Sequence, residues 1–267
     1  MPTCYTHKKV GAKVFHKLSI DKRTLIKKNL PYFLIGLHGP DILFFEPTVG
    51  DTHIAEFGHR LHHEAHREFY DNAKMVIRNS MDDRQLVYYF GYLCHLFSDN
   101  KIHGVLPELD KAVGVTHAKM ECELDRSLML DDGLDPVTYP VTAHLAVNRE
   151  VAHYIAPFYL GVSEKQIFNS LLVMKASFSA ARSKSRIYRK VVSDGMACAG
   201  FADKVPNLVM CADESGICRE VMPQLKGLLD EAVEEAVTAI EGITKYIFSD
   251  EKMPNFVAFR LDGQKDA

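Results

Sequence analysis

The stretch YYFGYLCHLFSDNKIHG, Tyr88 to Gly104, decides the fold. No charged side chain stands between Leu86 and Phe97, so the segment from about Asp83 to His103 reads as a buried helix. An acid and two imidazoles then follow at one interval: His95, Asp99 and His103. Each four-residue step advances about 40° around a helix and roughly 6 Å along it. The three side chains therefore form one polar stripe on an otherwise apolar rod. A stripe of about 12 Å is too long for one ion and suits two or more, with Asp99 bridging.

Working outward, helical periodicity dominates and no Asn-Gly hairpin signal occurs. Helices are expected at Ser19–Asn29, Pro31–Gly36, Thr52–Asn79 and from the Thr116 cap to Leu130. Further helices are expected at 137–157, 164–182, 184–195 and 219–248. A Gly/Pro loop, GLHGPD to PTVGD, separates the second and third. The fold class is all-α, a multi-helix bundle with a metal cleft. One domain is expected over 1–267, with the metal-site residues in 1–130 and a helical remainder after them.

Two other helices aim polar groups inward. On Thr52–Asn79, Ile54, Gly58, Leu61, Ala65, Phe69 and Val76 mark the apolar face. His62 projects roughly 50° from its centre, whereas His59, His63 and His66 fall on the flank or in water. On the Thr116 helix, Met120, Leu124 and Leu128 mark the buried stripe, which also holds His117 and Glu121, while Glu123 faces away. A lone inward histidine is more often a hydrogen-bonded core residue than a ligand. Three helices that each bury imidazole or carboxylate favour a metal site, because such groups are costly to bury unpartnered. Imidazole plus carboxylate without thiolate suits hydrolytic zinc, with iron and manganese left open.

Composition narrows the rest. The chain of 267 residues is 47% hydrophobic and 25% charged with a net charge of −3, an ordinary globular balance. It lacks the overall basic field expected of a nucleic-acid binder. Its short basic runs, around Lys22–Lys28 and Arg182–Lys190, read as solvated helix faces. MPTCYTHKKVGAKVF holds no apolar signal segment, and no run of 18 apolar residues follows, so a cytoplasmic location is expected. The six cysteines, Cys4, Cys94, Cys122, Cys198, Cys211 and Cys218, show no CxxC spacing and read as free thiols. Of 13 histidines, eleven lie at or before His117.

THKKVG, GLHGPDILFF, GHRLHHE, HLFSDNKIH and THAKMECE, in that order, resemble the zinc-dependent phospholipase C family, which is related to the single-strand-specific zinc nucleases. The resemblance covers about residues 1–130. It implies an all-α fold with two or three zinc ions in a cleft. It implies His62, His95 and Asp99 as ligands of a first ion, with Asp41 a further ligand or a base beside it. His103, His117 and Glu121 are implied for a second ion, and His7 with bridging Asp99 for a third. His7 and Asp41 rest on the resemblance alone. Two departures stand out. Secreted members also hold the third ion through the backbone of an N-terminal tryptophan, and this chain has no tryptophan. The step from Asp99 to His103 is also shorter than theirs.

Clustered zinc suits phosphate-ester hydrolysis by a metal-activated water, with Asp41 and Asp99 as the catalytic carboxylates. The expected partner is a small phosphate ester or a phospholipid head group. The acidic balance disfavours nucleic acid, and no β-sandwich lipid-binding domain follows the helices. Two rivals carry distinct signatures. A di-iron carboxylate protein would use the pairs Glu56/His59 and Glu150/His153. A non-catalytic helical zinc-binding protein would close its metal sites with protein ligands. No His-Asp dipeptide occurs, which disfavours an HD-type phosphohydrolase.

Overall fold

In the computed structural model, which describes residues 4–47, 53–64, 67–196, 210, 216–249 and 254–263, the helix from the opening stretch is the axis of the molecule. It is α6, Asp83–His103, and nearly every side chain from Gln85 to Asn100 is buried. Asp82 caps it, its carboxylate accepting the Arg84 N–H at 2.8 Å. An apolar circumference needs cover on all sides, and the neighbours supply it. They are α1 (Cys4–Lys17), α3 (Leu30–Gly36), α5 (Arg67–Ser80), α9 (Arg149–Ile155) and α12 (Met222–Phe248). The crossing with α3 is backbone on backbone. A Cβ on Gly91 would lie 2.2 Å from the Phe33 carbonyl oxygen, and one on Gly36 2.2 Å from that of Tyr88.

The remaining helices are α2 (Ile20–Lys28), α4 (His53–His63), α7 (Leu106–Val113), α8 (His117–Asp131), α10 (Glu164–Ala180) and α11 (Arg186–Met196). Short 3-10 turns stand at Gly39–Phe45, Ala156–Phe158, Gly216–Val221 and Asn255–Ala258. Among the described residues every regular element is helical, as the periodicity predicts. Thr116 caps α8, and Ser163 with Gln166 forms a capping box on α10. No described helix is long and apolar enough to cross a membrane.

Several expectations need correction. The first helix, α1, is absent from the sequence reading because small or polar residues carry its buried stripe: Cys4, His7, Val10, Gly11 and Val14. Helix α7 is likewise unanticipated. The helix expected over Thr52–Asn79 is two, with a bend at Glu64. Helix α4 packs on the Gly39–Phe45 turn, while α5 packs on Ala156–Phe158 and α12. That change of partner resets the apolar phase to Phe69, Tyr70, Ala73 and Ile77 and leaves Val76 only partly buried. Thr52, Ala65 and His66 lie outside the described residues. The expected Gly/Pro loop is largely the 3-10 turn Gly39–Phe45, buried throughout because ILFF follows GPD. The helix expected over 137–157 begins only after the Asn148 cap. Pro140 lacks an N–H and disfavours helical backbone before it, and residues 136–138 and 141–144 form turns.

Glu123 does not face away. It is 2% exposed, with Lys119 at 2.5 Å and Arg126 at 3.4 Å, because α1, α7 and α12 cover several sides of α8. In the second basic run two arginines turn inward: Arg182 donates to the Pro136 carbonyl and Arg189 to that of Ser183. Cys4, Cys94 and Cys122 are free and buried, Cys218 is buried, and Cys198 and Cys211 lie outside the described residues.

Candidate metal centre

The stripe on α6 meets side chains from three other elements. His95 lies with Asp99 (Nε2 to Oδ2, 3.5 Å) and with Asp41 of the 3-10 turn (Nδ1 to Oδ2, 3.7 Å). His7 of α1 approaches the other oxygen of Asp99 (Nε2 to Oδ1, 3.3 Å), its ring 4.5 Å from that of His95. Ligand atoms of His7, Asp41, His95 and Asp99 all fall within 4.8 Å of one another, and all four residues are buried. His62 of α4 joins through Asp41, its Nε2 2.9 Å from Oδ1. Gly39 makes the crossing possible: it sits at φ +46°, and a Cβ there would lie 2.4 Å from the His95 ring. Asp41 is fully buried, not on the accessible loop that its Gly/Pro surroundings suggest.

A second group forms at the end of α6. His103 Nε2 lies 3.0 Å and His117 Nε2 3.3 Å from the same Glu121 oxygen, Oε1, with the two rings 4.9 Å apart. His117 is 39% exposed, so this group opens to solvent while the first is sealed.

The hydrogen-bond directions test whether these residues fit cations. His62 Nδ1 lies 2.7 Å from the Gly58 carbonyl, which can only accept, so Nδ1 carries a proton, and in the neutral ring the Nε2 lone pair faces Asp41. His7 repeats the pattern. The Ser98 hydroxyl lies within donating distance of the carbonyls of Cys94 (3.0 Å) and His95 (2.9 Å); with its one proton directed there it accepts from His7 Nδ1 at 3.0 Å, and a neutral His7 ring then turns its Nε2 lone pair toward Asp99. Both nitrogens of His95 and Oδ2 of Asp41 are buried without a hydrogen-bond partner among the described residues. Lone pairs facing carboxylates repel unless a cation lies between them. Burial drives His7 down to about 4 and His95 well below the usual imidazole range. Burial, with the Asp41 charge, pushes Asp99 well above the usual carboxylate range. Glu121 ends below its usual range: burial pushes it up, and the positive charge of the N-terminus together with hydrogen bonds from His103 and His117 outweighs that. Neutral imidazoles and carboxylates without thiolate fit zinc.

Residues beyond the sequence reading complete the surroundings. Asp110 of α7 stands 3.8 Å from His117 Nδ1, placed to orient that ring. His38 meets the His7 ring edge-on at 6.4 Å and stacks on half-buried His144, Nε2 to Nε2 3.0 Å. Ser98 carries no signal of its own, being one more small polar residue in a helix. By contrast His59 and His63 are exposed, as their projection predicts. His153 and Glu164 pair at the surface, and Glu150 is exposed, so the pair a di-iron site would need at 150/153 lies outside the core.

The zinc-dependent phospholipase C family, compared as a sequence model, matches residues 6–166, well over half of the chain, a span that contains every candidate ligand. No curated protein and no solved structure matches the chain.

Proposed function

Because the chain belongs to the zinc-dependent phospholipase C family, we propose that this metal-dependent hydrolase cleaves a phosphate diester, a phospholipid head group being the substrate class its family suggests. The observation that carries the reading is the convergence of imidazole nitrogens on buried carboxylates: His62 Nε2 on Asp41 and His7 Nε2 on Asp99. His62, His95, Asp41 and Asp99 would hold one ion, with His7 sharing Asp99 toward another. His103, His117 and Glu121 would hold the ion nearest solvent. Zinc in such a group supplies a more acidic water and positive charge for the phosphoryl oxygens and the departing alkoxide.

The chain's own residues divide the work. Asp99 offers one oxygen to His7 and the other to His95, so it can bridge. Asp41 keeps Oδ1 toward His62 and has Oδ2 to orient the attacking water or accept its proton. A phosphoryl group would enter from the side of the exposed His117 edge. That open edge favours catalysis over a closed structural zinc site.

Metal analysis of the purified protein, with turnover of a choline phosphodiester, a phosphomonoester and single-stranded DNA, tests the reading. The phosphodiester is expected to be cleaved in proportion to zinc content, and Asp99→Ala to lose zinc and turnover together. Full zinc loading with no turnover on any of the three would favour the non-catalytic role. Full zinc content and turnover in Asp99→Ala would overturn the assignment of Asp99.

A further inference from the structure

Helix α8 carries a polar stripe of its own, and one member has no place in the metal groups. His117, Glu121 and Asp125 follow at four-residue intervals, the spacing of His95, Asp99 and His103 on α6. Asp125 is buried, 4% exposed, and turns toward α1. Its carboxylate accepts the Tyr5 N–H at 3.1 Å, the Thr6 N–H at 2.7 Å and the Thr6 hydroxyl at 2.7 Å. Tyr5 and Thr6 belong to the first turn of α1, whose N–H groups have no partner within the helix. That turn has no acidic residue of its own. A carboxylate from 119 or 120 residues further along the chain therefore binds these N–H groups and meets the positive end of the helix. The next residue after Thr6 is His7.

We propose that Asp125 is a positioning residue for the metal centre: by anchoring the first turn of α1 to α8, it sets the height and rotation at which His7 meets Asp99. It also ties His7 to the helix that supplies His117 and Glu121, so the buried and the open groups share one frame. The inference rests on the reading that these groups hold metal.

The test uses the full chain and zinc alone. Zinc content after equilibration in a zinc buffer, and affinity by competition with a chromogenic chelator, are measured for the wild type, His7→Ala, Asp125→Ala, His117→Ala and the double variants. Asp125→Ala is expected to keep its helical circular dichroism and to lose the same zinc increment as His7→Ala. Affinity at that increment should fall about 10- to 100-fold, the usual effect of removing a group that orients a ligand. Adding Asp125→Ala to His7→Ala should change zinc content no further, while adding it to His117→Ala should be additive. Asp125→Ala with wild-type zinc content and affinity, and only a lower melting temperature, would overturn the proposal. If that variant does not fold, Thr6→Val, which removes only the hydroxyl contact, decides: weaker zinc binding supports the proposal and unchanged binding rejects it. A wild type that binds no zinc would overturn the functional reading and this inference with it, whereas a loaded wild type beside an equally loaded Asp125→Ala defeats only the inference.

Discussion

A single hydroxyl illustrates how the site works at the scale of residues. Ser98 spends its own proton on the α6 backbone and offers a lone pair to His7 Nδ1. In the neutral ring this arrangement leaves His7 a ligand atom at Nε2. Ser98→Ala removes the acceptor without touching any candidate ligand. Zinc affinity is expected to fall about 10- to 100-fold at the His7 site, read by chelator competition, with circular dichroism unchanged. The candidate ligands His95, Asp99 and His103 were legible in the sequence, because imidazole and carboxylate at four-residue spacing on an apolar helix need a reason to be buried, whereas His7 and Asp41 came from the family resemblance alone. Ser98, Asp110 and Asp125 were not, although each orients a ligand or its helix. Their meaning depends on a partner supplied by another turn or another helix, and nothing in their own segment distinguishes them from ordinary polar residues. Glu123 misled for a related reason: its burial depends on neighbours that cover α8 beyond the apolar stripe.

At the scale of elements, the position of the α6 stripe depends on how closely α3 can approach. Gly36 and Gly91 let the two backbones touch, and the 3-10 turn that follows α3 delivers Asp41 to His95. Gly91→Ala places a methyl against a carbonyl that cannot move aside, and is expected to cost ~1–3 kcal/mol and to lower zinc affinity with stability. Gly227→Ala in α12 is the control: nothing lies within 4 Å of its Cβ, and helix propensity alone should raise stability by ~0.5–1 kcal/mol. Thermal and denaturant unfolding of both variants checks the contrast. Helices with a local cap and an unbroken period, α6, α8 and α10, were legible to within a residue or two. The division of Thr52–Asn79 was not, because no Gly or Pro marks it and the cause is a change of packing partner. The turns before Asn148 could have been seen, since Pro140 stands inside the expected helix.

At the scale of the whole molecule, the helices beyond the family match are not an appendage. Helix α12 lies along α6 and α1, and α10 covers the 3-10 turn that bears Asp41, so the core that holds the ligands is closed by residues far from them in sequence. One cooperative unfolding transition is therefore expected for the full chain, with the melting temperature lowered by chelator. The acid response of the metal-free chain follows from its buried groups. His7 and His144 are held down to about 4 by burial, and His38, His95 and His103 are also lowered by it. Between pH 6.5 and 4 the unfolded chain binds protons at these positions that the folded chain refuses, so stability falls as pH falls, by ~1.4 kcal/mol per pH unit for each proton. Burial acts oppositely on carboxyls: it raises Asp125 to about 6 and also lifts Asp99 and Asp110, which keep their protons in the folded state. These three are outnumbered by the five histidines, so the net sign stands, and the loss sets in near pH 6.5, where the unfolded imidazoles begin to charge, and continues toward pH 4. Denaturant midpoints of the chelated protein from pH 7.5 to 4.5 measure it. A metal-free midpoint that stays level or rises on acidification would mean that these histidines are not buried in neutral form. With zinc bound, the same fall should begin from a higher plateau and steepen as protons displace the metal from its imidazoles and carboxylates.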